Sequence, residues 1–497
     1  MSGDSLPPAE DILERLRAAY AQREPTPRER REIPAQPMPT QDAEARRTNF
    51  DEVATGYTEA QARVEAMRCL RCAKAPCVAG CPVQVDIPGF IGALAAGDDA
   101  TAIAVIKRDN LLPAICGRVC PQESQCQERC TVGKALKDPD QAVAIGRLER
   151  YAADRERAQG IAVPGCAPPT GKKVAIVGSG PASLVVAADV QRAGHQAVIL
   201  EAFHQPGGVL IYGIPEFRLP KDIVTAEIDA LLAMGVEIRT DFVVGRTRKL
   251  HDLLAHDGFD AAFIGTGAGL PLFLDLPGEH LIGVYSANEY LTRVNLMKAW
   301  TRDADTPLLS SRRVAVIGGG NVAMDAARTA MRMGAETVSV IYRRTREQMP
   351  ARAEEVEHAE EEGIDFRFLQ NIQRIIGDDQ GRVQAVECLR YELGEPGADG
   401  RRRPQAIAGS QFTLPMDTVI MAVGSGSNPL LIRTTPGLTV DDRGRIVVDE
   451  NGKTSIDRVY AAGDIVIGAA TVILAMGEGR KAAHAINALL AGQADQP

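Results

Sequence analysis

Short, unbroken apolar runs recur along the chain, and each is followed by a glycine turn and a helical pattern. The run VAIVG (174–178) precedes such a turn, a helical pattern that reaches residue 193 and a second apolar run, QAVILE (196–201). Runs of this kind predict buried strands, and the order strand–helix–strand predicts a βαβ unit. VAVIGGG (314–320) and TVSVIY (337–342) repeat the order, so the pattern predicts two units of one fold type.

Three further apolar runs predict short strands between and after these units: AAFIGTG (261–267), DTVIMAVG (417–424) and RVYAAGD (458–464). Their positions indicate a second domain inserted into a first, whose chain then resumes near the C-terminus. The N-terminal region has a different pattern. Residues 1–50 are charged and interrupted by prolines, which predicts a short helix over residues 9–22 and then a linker or wrapping arm.

Composition narrows the class of protein. Of the 497 residues, 45% are hydrophobic, only 4% are aromatic and 47 are glycine, which suits an α/β protein with many tight turns. The net charge of −9 argues against nucleic acid or an anionic membrane as the main partner. No apolar run approaches the ~20 residues that a membrane-spanning helix needs, and the first residues lack the apolar stretch of a secretory signal. We therefore expect a cytoplasmic protein.

Eight of the ten cysteines form two compact runs, Cys69-x2-Cys72-x4-Cys77-x3-Cys81 and Cys116-x3-Cys120-x5-Cys126-x3-Cys130. Thiols packed this densely, in a chain with no export signal, favour soft-metal ligands over disulfides. Proline follows Cys81 and Cys120, as it follows the last cysteine of bacterial ferredoxin runs, and this favours iron–sulfur clusters over zinc, the competing interpretation. In two-cluster ferredoxins that cysteine ligates the other cluster, so we expect Cys81 to join the second run and a cysteine of the second run to join the first.

A dinucleotide-binding fingerprint begins where the first predicted strand ends: Gly178, Ser179, Gly180, Pro181, Ala182 and Ser183. The first glycine allows the tight turn, the second lets the backbone approach a pyrophosphate, and the helix N-terminus stabilises its charge. Ser183 replaces the usual third glycine or alanine. Glu201 ends the next strand, where a carboxylate binds ribose hydroxyls. The alternative, a turn without a ligand, is weakened by the presence of strand, helix and acid together.

Two signals later in the chain extend this pattern. Gly463 and Asp464 precede a helix, and an acid there can hold the phosphate arm of a flavin, while the N–H groups of Thr471 and Val472 can stabilise a reduced flavin ring. A Gly-Asp pair alone is more often a turn. The second fingerprint comprises Gly318, Gly319, Gly320, Asn321, Val322 and Ala323.

The strand that follows the second fingerprint ends in Arg343 and Arg344, where an NAD site would have a carboxylate. Arginines in this position can pair with a 2′-phosphate, which favours NADP. The alternative is that this basic run only solvates a loop.

The route of the electrons follows from what the two nucleotide units lack. Flavin disulfide reductases place a redox-active cysteine pair near the flavin, but no cysteine occurs between Cys166 and Cys388, and these two are interpreted as ordinary thiols. The remaining route is through the N-terminal cysteines. The pattern indicates electron transfer between a nicotinamide nucleotide, a flavin and iron–sulfur clusters, in either direction, and since the flavin converts electron pairs to single electrons no catalytic side chain is required.

At this point the chain resembles the NADPH-dependent glutamate synthase small (beta) subunit family. Its relatives include the large subunit of NADH-dependent ferredoxin:NADP oxidoreductase and the N-terminal half of dihydropyrimidine dehydrogenase. The resemblance runs from about residue 49 to the C-terminus and is carried by several motifs: EAMRCLRCAKAPCVAGCPVQVDIPGFI, ICGRVCPQESQCQERC, GSGPAS, PGGVLIYGIPEFRLPK, GGGNVAMD, YRRTREQMPARAEE and AAGDIVIGAATV.

The resemblance implies an α/β fold in which an N-terminal α-helical, ferredoxin-like iron–sulfur domain precedes two Rossmann-type domains, with the NADP domain inserted in the FAD domain. The implied boundaries are an arm over 1–50, a helical domain with two [4Fe–4S] clusters over 51–170, an FAD domain over 171–300 and 412–497, and an NADP domain over 301–411.

The resemblance also implies the site residues. One cluster would be held by Cys69, Cys72, Cys77 and Cys130, and the other by Cys81, Cys120, Cys126 and Glu149, with Cys116 as a bystander. On sequence evidence alone Glu149 is more often a solvated helix charge. The implied FAD contacts are residues 178–183, Glu201, Gly208, Val209, Leu210, Arg218, Val244, and 463–472. The implied nicotinamide nucleotide contacts are Gly319, Gly320, Asn321, Val322, Arg343, Arg344 and 422–424, which includes Gly424.

The family implies an electron-input subunit that supplies electrons for L-glutamate formation from glutamine and 2-oxoglutarate. Its partner would be a larger subunit with glutaminase and FMN-barrel domains. The alternatives are the large subunit of a ferredoxin:NADP oxidoreductase, whose partner is a small ferredoxin or flavin reductase subunit, a pyrimidine-reducing relative, and a zinc-stabilised flavin-binding regulator without turnover.

Overall fold

The N-terminal third of the chain is helical. The computed structural model describes residues 6–397 and 402–492. The helices before the first strand are α1 (Ala9–Ala19), α2 (Pro27–Glu32), α3 (Ala43–Arg46), α4 (Glu59–Met67), α5 (Pro76–Gly80), α6 (Ile87–Ala96), α7 (Asp99–Asp109), α8 (Pro113–Val119), α9 (Thr131–Leu136) and α10 (Ile145–Gln159). The predicted first helix is present and ends at Ala19. Capping boxes begin α2 at Thr26 and α4 at Thr58, because each threonine accepts from a backbone N–H three residues later.

Strands and helices alternate over the rest of the chain. The strands are β1 (Lys173–Val177), β2 (Gln196–Leu200), β3 (Glu237–Arg239), β4 (Ala261–Ile264), β5 (Leu270–Pro271), β6 (Val284–Ser286), β7 (Arg313–Ile317), β8 (Thr337–Tyr342), β9 (Asp365–Phe368), β10 (Gln370–Gly377), β11 (Val383–Pro396), β12 (Arg402–Ala406), β13 (Phe412–Pro415), β14 (Thr418–Met421), β15 (Ser425–Gly426) and β16 (Val459–Ala461). The helices are α11 (Pro181–Arg192), α12 (Val209–Tyr212), α13 (Lys221–Ala233), α14 (Leu250–Ala255), α15 (Ala287–Asn295), α16 (Asn321–Arg332), α17 (Ala353–Glu361), α18 (Pro429–Arg433), α19 (Asp464–Ile467) and α20 (Val472–Leu490).

The first sheet is parallel and has the strand order β16-β4-β1-β2-β3. Its central strand β1 is buried over residues 174–177, as expected for a strand covered on both faces. Helices α11 and α20 pack together, and α20 comes from the C-terminal end of the chain. The predicted α/β class, with a second domain inserted into the first, is confirmed.

The second sheet is also parallel, with the order β6-β14-β7-β8-β9. Strands β6 and β14 lie outside residues 301–411, the segment expected to form the inserted domain. They belong to this sheet because β14 pairs with β6 on one side and with β7 on the other. An antiparallel sheet of β10, β11, β12 and β13, which the sequence did not predict, follows β9.

Buried ion pairs hold the arm before residue 50 to the inserted domain that contains the second sheet. The Arg46 side chain is only 2% exposed, and its Nε lies 3.0 Å from Glu362 Oε1. Glu362 also pairs with Arg328 and Arg332, and both of these guanidinium groups stack on the ring of Phe217 from the first unit. The buried charges of this network neutralise one another. The arm, the inserted domain and the domain of the first sheet are in contact there.

One buried carboxyl makes the stability of the fold depend on pH. Glu227, on α13 against α8, is 6% exposed, and burial raises its pKa to about 7, from an ordinary value of 4.5, while Lys107 acts to lower it. Between pH 4.5 and about 7 the folded state therefore keeps a proton that the unfolded state loses. Stability falls as pH rises through this window, by up to about 3 kcal/mol from this group.

We expect Glu227→Gln, which cannot ionise, to be more stable than the wild type at pH 8 and similar to it at pH 5. Thermal unfolding of both proteins at the two pH values measures the difference. A difference in Tm that is the same at both pH values would contradict the assignment.

Within residues 6–397 and 402–492, no helix has the length and apolar character that crossing a membrane requires.

Candidate functional site

Four cysteines surround one cavity in the helical region. Cys69 follows α4, Cys72 and Cys77 lie on the next loop and short helix, and Cys130 precedes α9. The remaining wall of the cavity is mostly apolar and includes Leu70, Pro76, Ile87, Pro88, Ile91, Val132, Val143 and Ile145. Burial raises the pKa of Cys77 to about 12, and the neighbouring Cys69 and Cys130 raise it further. We call these four cysteines the outer set.

A second group contains Cys81, Cys120, Cys126 and Glu149. Burial raises the pKa of the Cys81 thiol to about 11, and the charges of Glu149 and Cys120 act in the same direction. Burial also raises the pKa of Cys126, and Glu149, Cys120 and Cys81 are the next contributors. Glu149 is partly exposed, and desolvation raises its pKa to about 7. Helix α10, which carries Glu149, packs on α8, whose C-cap is Cys120, and a Cβ on Gly80, next to Cys81, would lie 3.1 Å from Cys126 Cα. Three thiols and one carboxyl are therefore brought to one region, and we call this group the flavin-side set for the reason given below.

Both sets fit iron–sulfur clusters by the chemistry of their donors. All ten cysteines are free thiols, and those of the two sets are buried or partly buried. Thiolates are the ligands of [4Fe–4S] clusters, and ligation releases the protons that burial otherwise retains. Across the described part of the chain, no three His, Cys, Asp or Glu side chains converge on the position of one metal ion. The outer set instead lines a cavity.

The first fingerprint forms a cradle at the end of β1. Gly178 has a φ of +92°, and a Cβ there would lie 2.7 Å from the carbonyl oxygen of Gly265. Gly180 differs, because no described atom lies within 4 Å of a Cβ built on it. Ser179 Oγ donates to Glu201 Oε2 and accepts from the N–H of Gly207 at 2.8 Å. The turn is closed at its first glycine and open at its second, which is the shape a pyrophosphate requires.

The C-terminal part of the flavin signal meets this cradle. Gly463 lies against it, since a Cβ there would be 3.3 Å from Ala182 Cβ. Burial raises the pKa of Asp464 to about 6, and the N–H of Ala470 donates to its Oδ1 at 3.2 Å. Thr471 caps α20, so Val472 is the first residue of that helix. The N-terminus of α20 therefore faces the region where the flavin is expected.

Contacts from α20 place one cysteine set beside this region. A Cβ on Gly477 would lie 3.0 Å from the carbonyl oxygen of Pro82, next to Cys81. Gln125, which precedes Cys126, donates from Nε2 to Thr471 Oγ1 at 3.3 Å. These contacts are the reason for the name flavin-side set. Gln125 was not singled out from the sequence, because only the tertiary contact reveals it.

The remaining predicted FAD contacts fall in different places: residues 208–210 lie beside the cradle, and Arg218 pairs with the inserted domain. A Cβ on Gly208 would lie 2.9 Å from Gly180 Cα, so Gly208 packs against the turn on the side away from its open face, and Val209 and Leu210 begin α12. Arg218 is instead engaged with the second nucleotide unit, because its Nη1 lies 2.6 Å from Asp325 Oδ1 and its Nε lies 3.1 Å from Glu355 Oε1.

Val244 is buried in the apolar core under the first sheet. Tyr212, which the sequence did not indicate, lies near the predicted flavin region. Burial raises its pKa to about 12, and the charges of Asp464 and Glu201 raise it further.

The second fingerprint repeats the cradle at the end of β7. Gly318 has a φ of +143°, and a Cβ on Gly319 would lie 2.7 Å from the ring of Tyr342. Gly320 is nearly open, since a Cβ there would meet only Pro350 Cγ, at 3.9 Å. Asn321 and Val322 begin α16, with Val322 44% exposed.

The predicted phosphate-binding arginines lie beyond β8. Arg343 is exposed, whereas Arg344 has a buried Nε without a hydrogen-bond partner among the described residues. Gly424, between β14 and β15, has a φ of +113°. The unpartnered guanidinium nitrogen fits a site for an anion such as a 2′-phosphate.

Comparison with known proteins places this geometry in a family. Residues 46–161 match the family described as dihydropyrimidine dehydrogenase domain II, 4Fe-4S cluster, and residues 168–489 match pyridine nucleotide-disulphide oxidoreductase. The glutamate synthase [NADPH] small chain of Escherichia coli is 38% identical over 456 residues, which is 90% of this chain and 95% of that protein. The chain belongs to the family of the glutamate synthase [NADPH] small chain.

Two other comparisons define how far the likeness extends. The beta subunit of NADP(+)-dependent formate dehydrogenase from Moorella thermoacetica is 38% identical over 84% of this chain and 60% of its own length. The solved structure of Mycobacterium tuberculosis FprA in complex with NADPH aligns with a TM-score of 0.54 at 21% identity, covering 66% of this chain and 87% of that one. The latter is a likeness of fold alone.

Membership of the family confirms the resemblance and the class of the chain. It is an oxidoreductase whose cofactors are [4Fe–4S] clusters, FAD and NADPH, and it acts in electron transfer. The residues that contact each cofactor stay predictions, supported by the geometry above.

Proposed function

We propose that the chain is the electron-input subunit of an NADPH-dependent glutamate synthase, which supplies electrons for L-glutamate formation from glutamine and 2-oxoglutarate. The observation that supports this most directly is the contact of α20 with both the flavin cradle and the loops of Cys81 and Cys126. This contact places the flavin-side set next to the flavin cradle. The relatives are named as small or beta subunits, which supports a partner subunit.

When bound, NADPH supplies a hydride, FAD converts the electron pair to single electrons, and the clusters carry them onward. The chain's own residues position these groups. The open faces of Gly180 and Gly320 admit the pyrophosphates, and the N-termini of α11 and α16 stabilise their charge. The outer set would hold one cluster, and the flavin-side set would hold the other through Cys81, Cys120, Cys126 and Glu149.

The partner in this proposal is a larger subunit with glutaminase and FMN-barrel domains. The likeness to a formate dehydrogenase subunit favours a second candidate, in which the same input module serves another acceptor, such as a small ferredoxin or flavin reductase subunit. A cytoplasmic location stays a prediction.

The acceptor distinguishes the two candidates. We expect the chain to copurify with a glutamine-hydrolysing subunit, and the complex to form glutamate from glutamine and 2-oxoglutarate only when NADPH is supplied. Copurification with a ferredoxin-reducing subunit and no glutamate formation would support the second candidate. Protein that lacks acid-labile sulfide after anaerobic reconstitution would contradict both.

The choice of NADPH over NADH depends on Arg344 in this proposal. We expect Arg344→Gln to raise the KM for NADPH by about 10- to 100-fold, because a charge-assisted pair with the 2′-phosphate is lost. The KM for NADH should stay unchanged, since NADH lacks that phosphate. Steady-state reduction of ferricyanide with each nucleotide measures both values. An equal rise for NADH would indicate that Arg344 shapes the loop and does not contact the phosphate.

A further inference from the structure

Two side chains compete for the fourth position of the flavin-side set. Glu149 acts electrostatically on Cys81, Cys120 and Cys126, and it acts on Cys116 as well. Cys116 is 1% exposed and lies within hydrogen-bonding distance of Cys120. A carboxylate and a spare thiol are therefore both available beside the same three cysteines. Sulfur is the softer ligand and the more usual one for iron–sulfur clusters, so the structure needs a reason for the carboxylate to prevail.

Asn110 lies between these two candidates. It follows α7, is 0% exposed, and donates its backbone N–H to the carbonyl of Ile106 at 2.9 Å. Its Oδ1 accepts from the backbone N–H of Leu112 at 3.0 Å, in the turn that leads into α8. Because that N–H requires an acceptor, the orientation of the amide is determined: the oxygen faces Leu112 and the nitrogen faces away.

The two ends of this amide contact the two candidate ligands. Asn110 Nδ2 donates to Glu149 Oε1 at 2.6 Å, a short bond of the kind formed with a charged acceptor. Asn110 Oδ1 lies 3.6 Å from Cys116 Sγ, and the sulfur of Met476 on α20 lies 3.7 Å from Cys116 Sγ. Glu149 is thus held by a donor, and Cys116 is held between an amide oxygen and a thioether.

We propose that Asn110 is the positioning residue that selects Glu149, and not the thiol of Cys116, as the fourth ligand of the flavin-side cluster. The inference rests on the ligand set given under the proposed function. Groups that hold a metal ligand in place normally donate to it or accept from it, as Asn110 does with Glu149. Replacing a thiolate by a carboxylate changes the electronic environment of a cluster and hence its reduction potential, so this selection sets the potential of the flavin-side cluster.

The substitution Asn110→Ser tests the selection with little disturbance to the turn. A serine hydroxyl can still accept from the N–H of Leu112, but it is too short to reach Glu149. We expect the reduced N110S protein to keep its iron but to show an altered electron paramagnetic resonance signal and a shifted midpoint potential for one cluster. The signal of the other cluster and the FAD absorbance should be unchanged, which also shows that the protein is folded.

The thiol of Cys116 provides the matched control. We expect Cys116→Ser alone to retain the wild-type iron content and potential, and the double variant N110S/C116S to lose about half of its iron, because neither ligand then completes the cluster. Full iron in the double variant, or an unchanged potential in N110S, would overturn the selection by Asn110.

Glu149→Ala separates this inference from the ligand set on which it rests. If Glu149→Ala shifts the potential and N110S does not, only the role of Asn110 fails. If Cys116→Ser alone loses half of the iron, Cys116 is itself the ligand, and the proposed ligand set fails together with the inference.

Discussion

Replacing Cys120 with alanine is expected to stop electrons between the flavin and the acceptor while leaving the nucleotide half of the reaction intact. Cys120 is 5% exposed in the flavin-side set, and the loops of that set contact α20 beside the flavin cradle. Without this thiolate the cluster nearer the flavin is lost. We expect acceptor reduction to fall by more than about 100-fold, since loss of even an outer-shell partner typically reduces metal affinity or activity by 10- to 100-fold. Stopped-flow bleaching of the flavin by NADPH should persist.

Cys166→Ser is the control for this experiment. Cys166 is exposed and belongs to neither set, so its loss should change neither iron content nor turnover. Acceptor reduction that survives in Cys120→Ala at the wild-type rate would contradict the proposed order of flavin and flavin-side cluster.

Gly180→Ala should give a folded protein that does not retain FAD. The backbone at Gly180 is extended, with φ of −69° and ψ of 177°, which alanine adopts without strain, and no described atom lies within 4 Å of the added carbon. The methyl group would instead occupy the space that the pyrophosphate needs. We expect FAD affinity to fall by about 100-fold or more, equivalent to about 2.7 kcal/mol of binding free energy. Titration of the apoprotein with FAD, followed by flavin fluorescence, measures this loss.

A matched glycine is available for comparison. Gly165 also has no described atom within 4 Å of an added Cβ, and it lies outside the cradle, so Gly165→Ala should bind FAD as the wild type does. If Gly180→Ala also bound FAD normally, the flavin pyrophosphate could not lie against this turn. If Gly180→Ala unfolded, the added methyl group would clash with the protein itself and not with the pyrophosphate.

Much of the site was predictable because its requirements are local. The turns at Gly178 and Gly318 need positive φ, which glycine adopts readily, and the apolar strands before them carry their own signal in the sequence. The cysteine runs were visible for the same reason, since their spacing is short. The predicted strands at 174–178, 196–201, 314–320 and 337–342 all correspond to strands in the structure, with ends that differ by at most three residues.

Other parts of the site depend on contacts between residues that are distant in the sequence. Arg218 was expected at the flavin, but its guanidinium is engaged by Asp325 and Glu355, more than a hundred residues away. Strands β6 and β14 join the second sheet from outside the expected boundaries, because pairing with a neighbouring strand decides membership of a sheet and short apolar runs look alike. Asn110 carried no signal in the sequence at all.

The sequence by itself determined the two nucleotide cradles, the supply of thiols and the α/β class, because each follows from residues that are close neighbours along the chain. The exchange of Cys81 and Cys130 between the two runs was already expected from the ferredoxin pattern and the family resemblance, and the structure places Cys130 with the first run and Cys81 near Cys120 and Cys126. Only the tertiary structure decided that Asn110 lies beside Glu149. The physical reason is that residue spacing along the chain does not show which residues from distant segments become neighbours after folding. Packing of α7, α8 and α10 around a shared interior brings these side chains together.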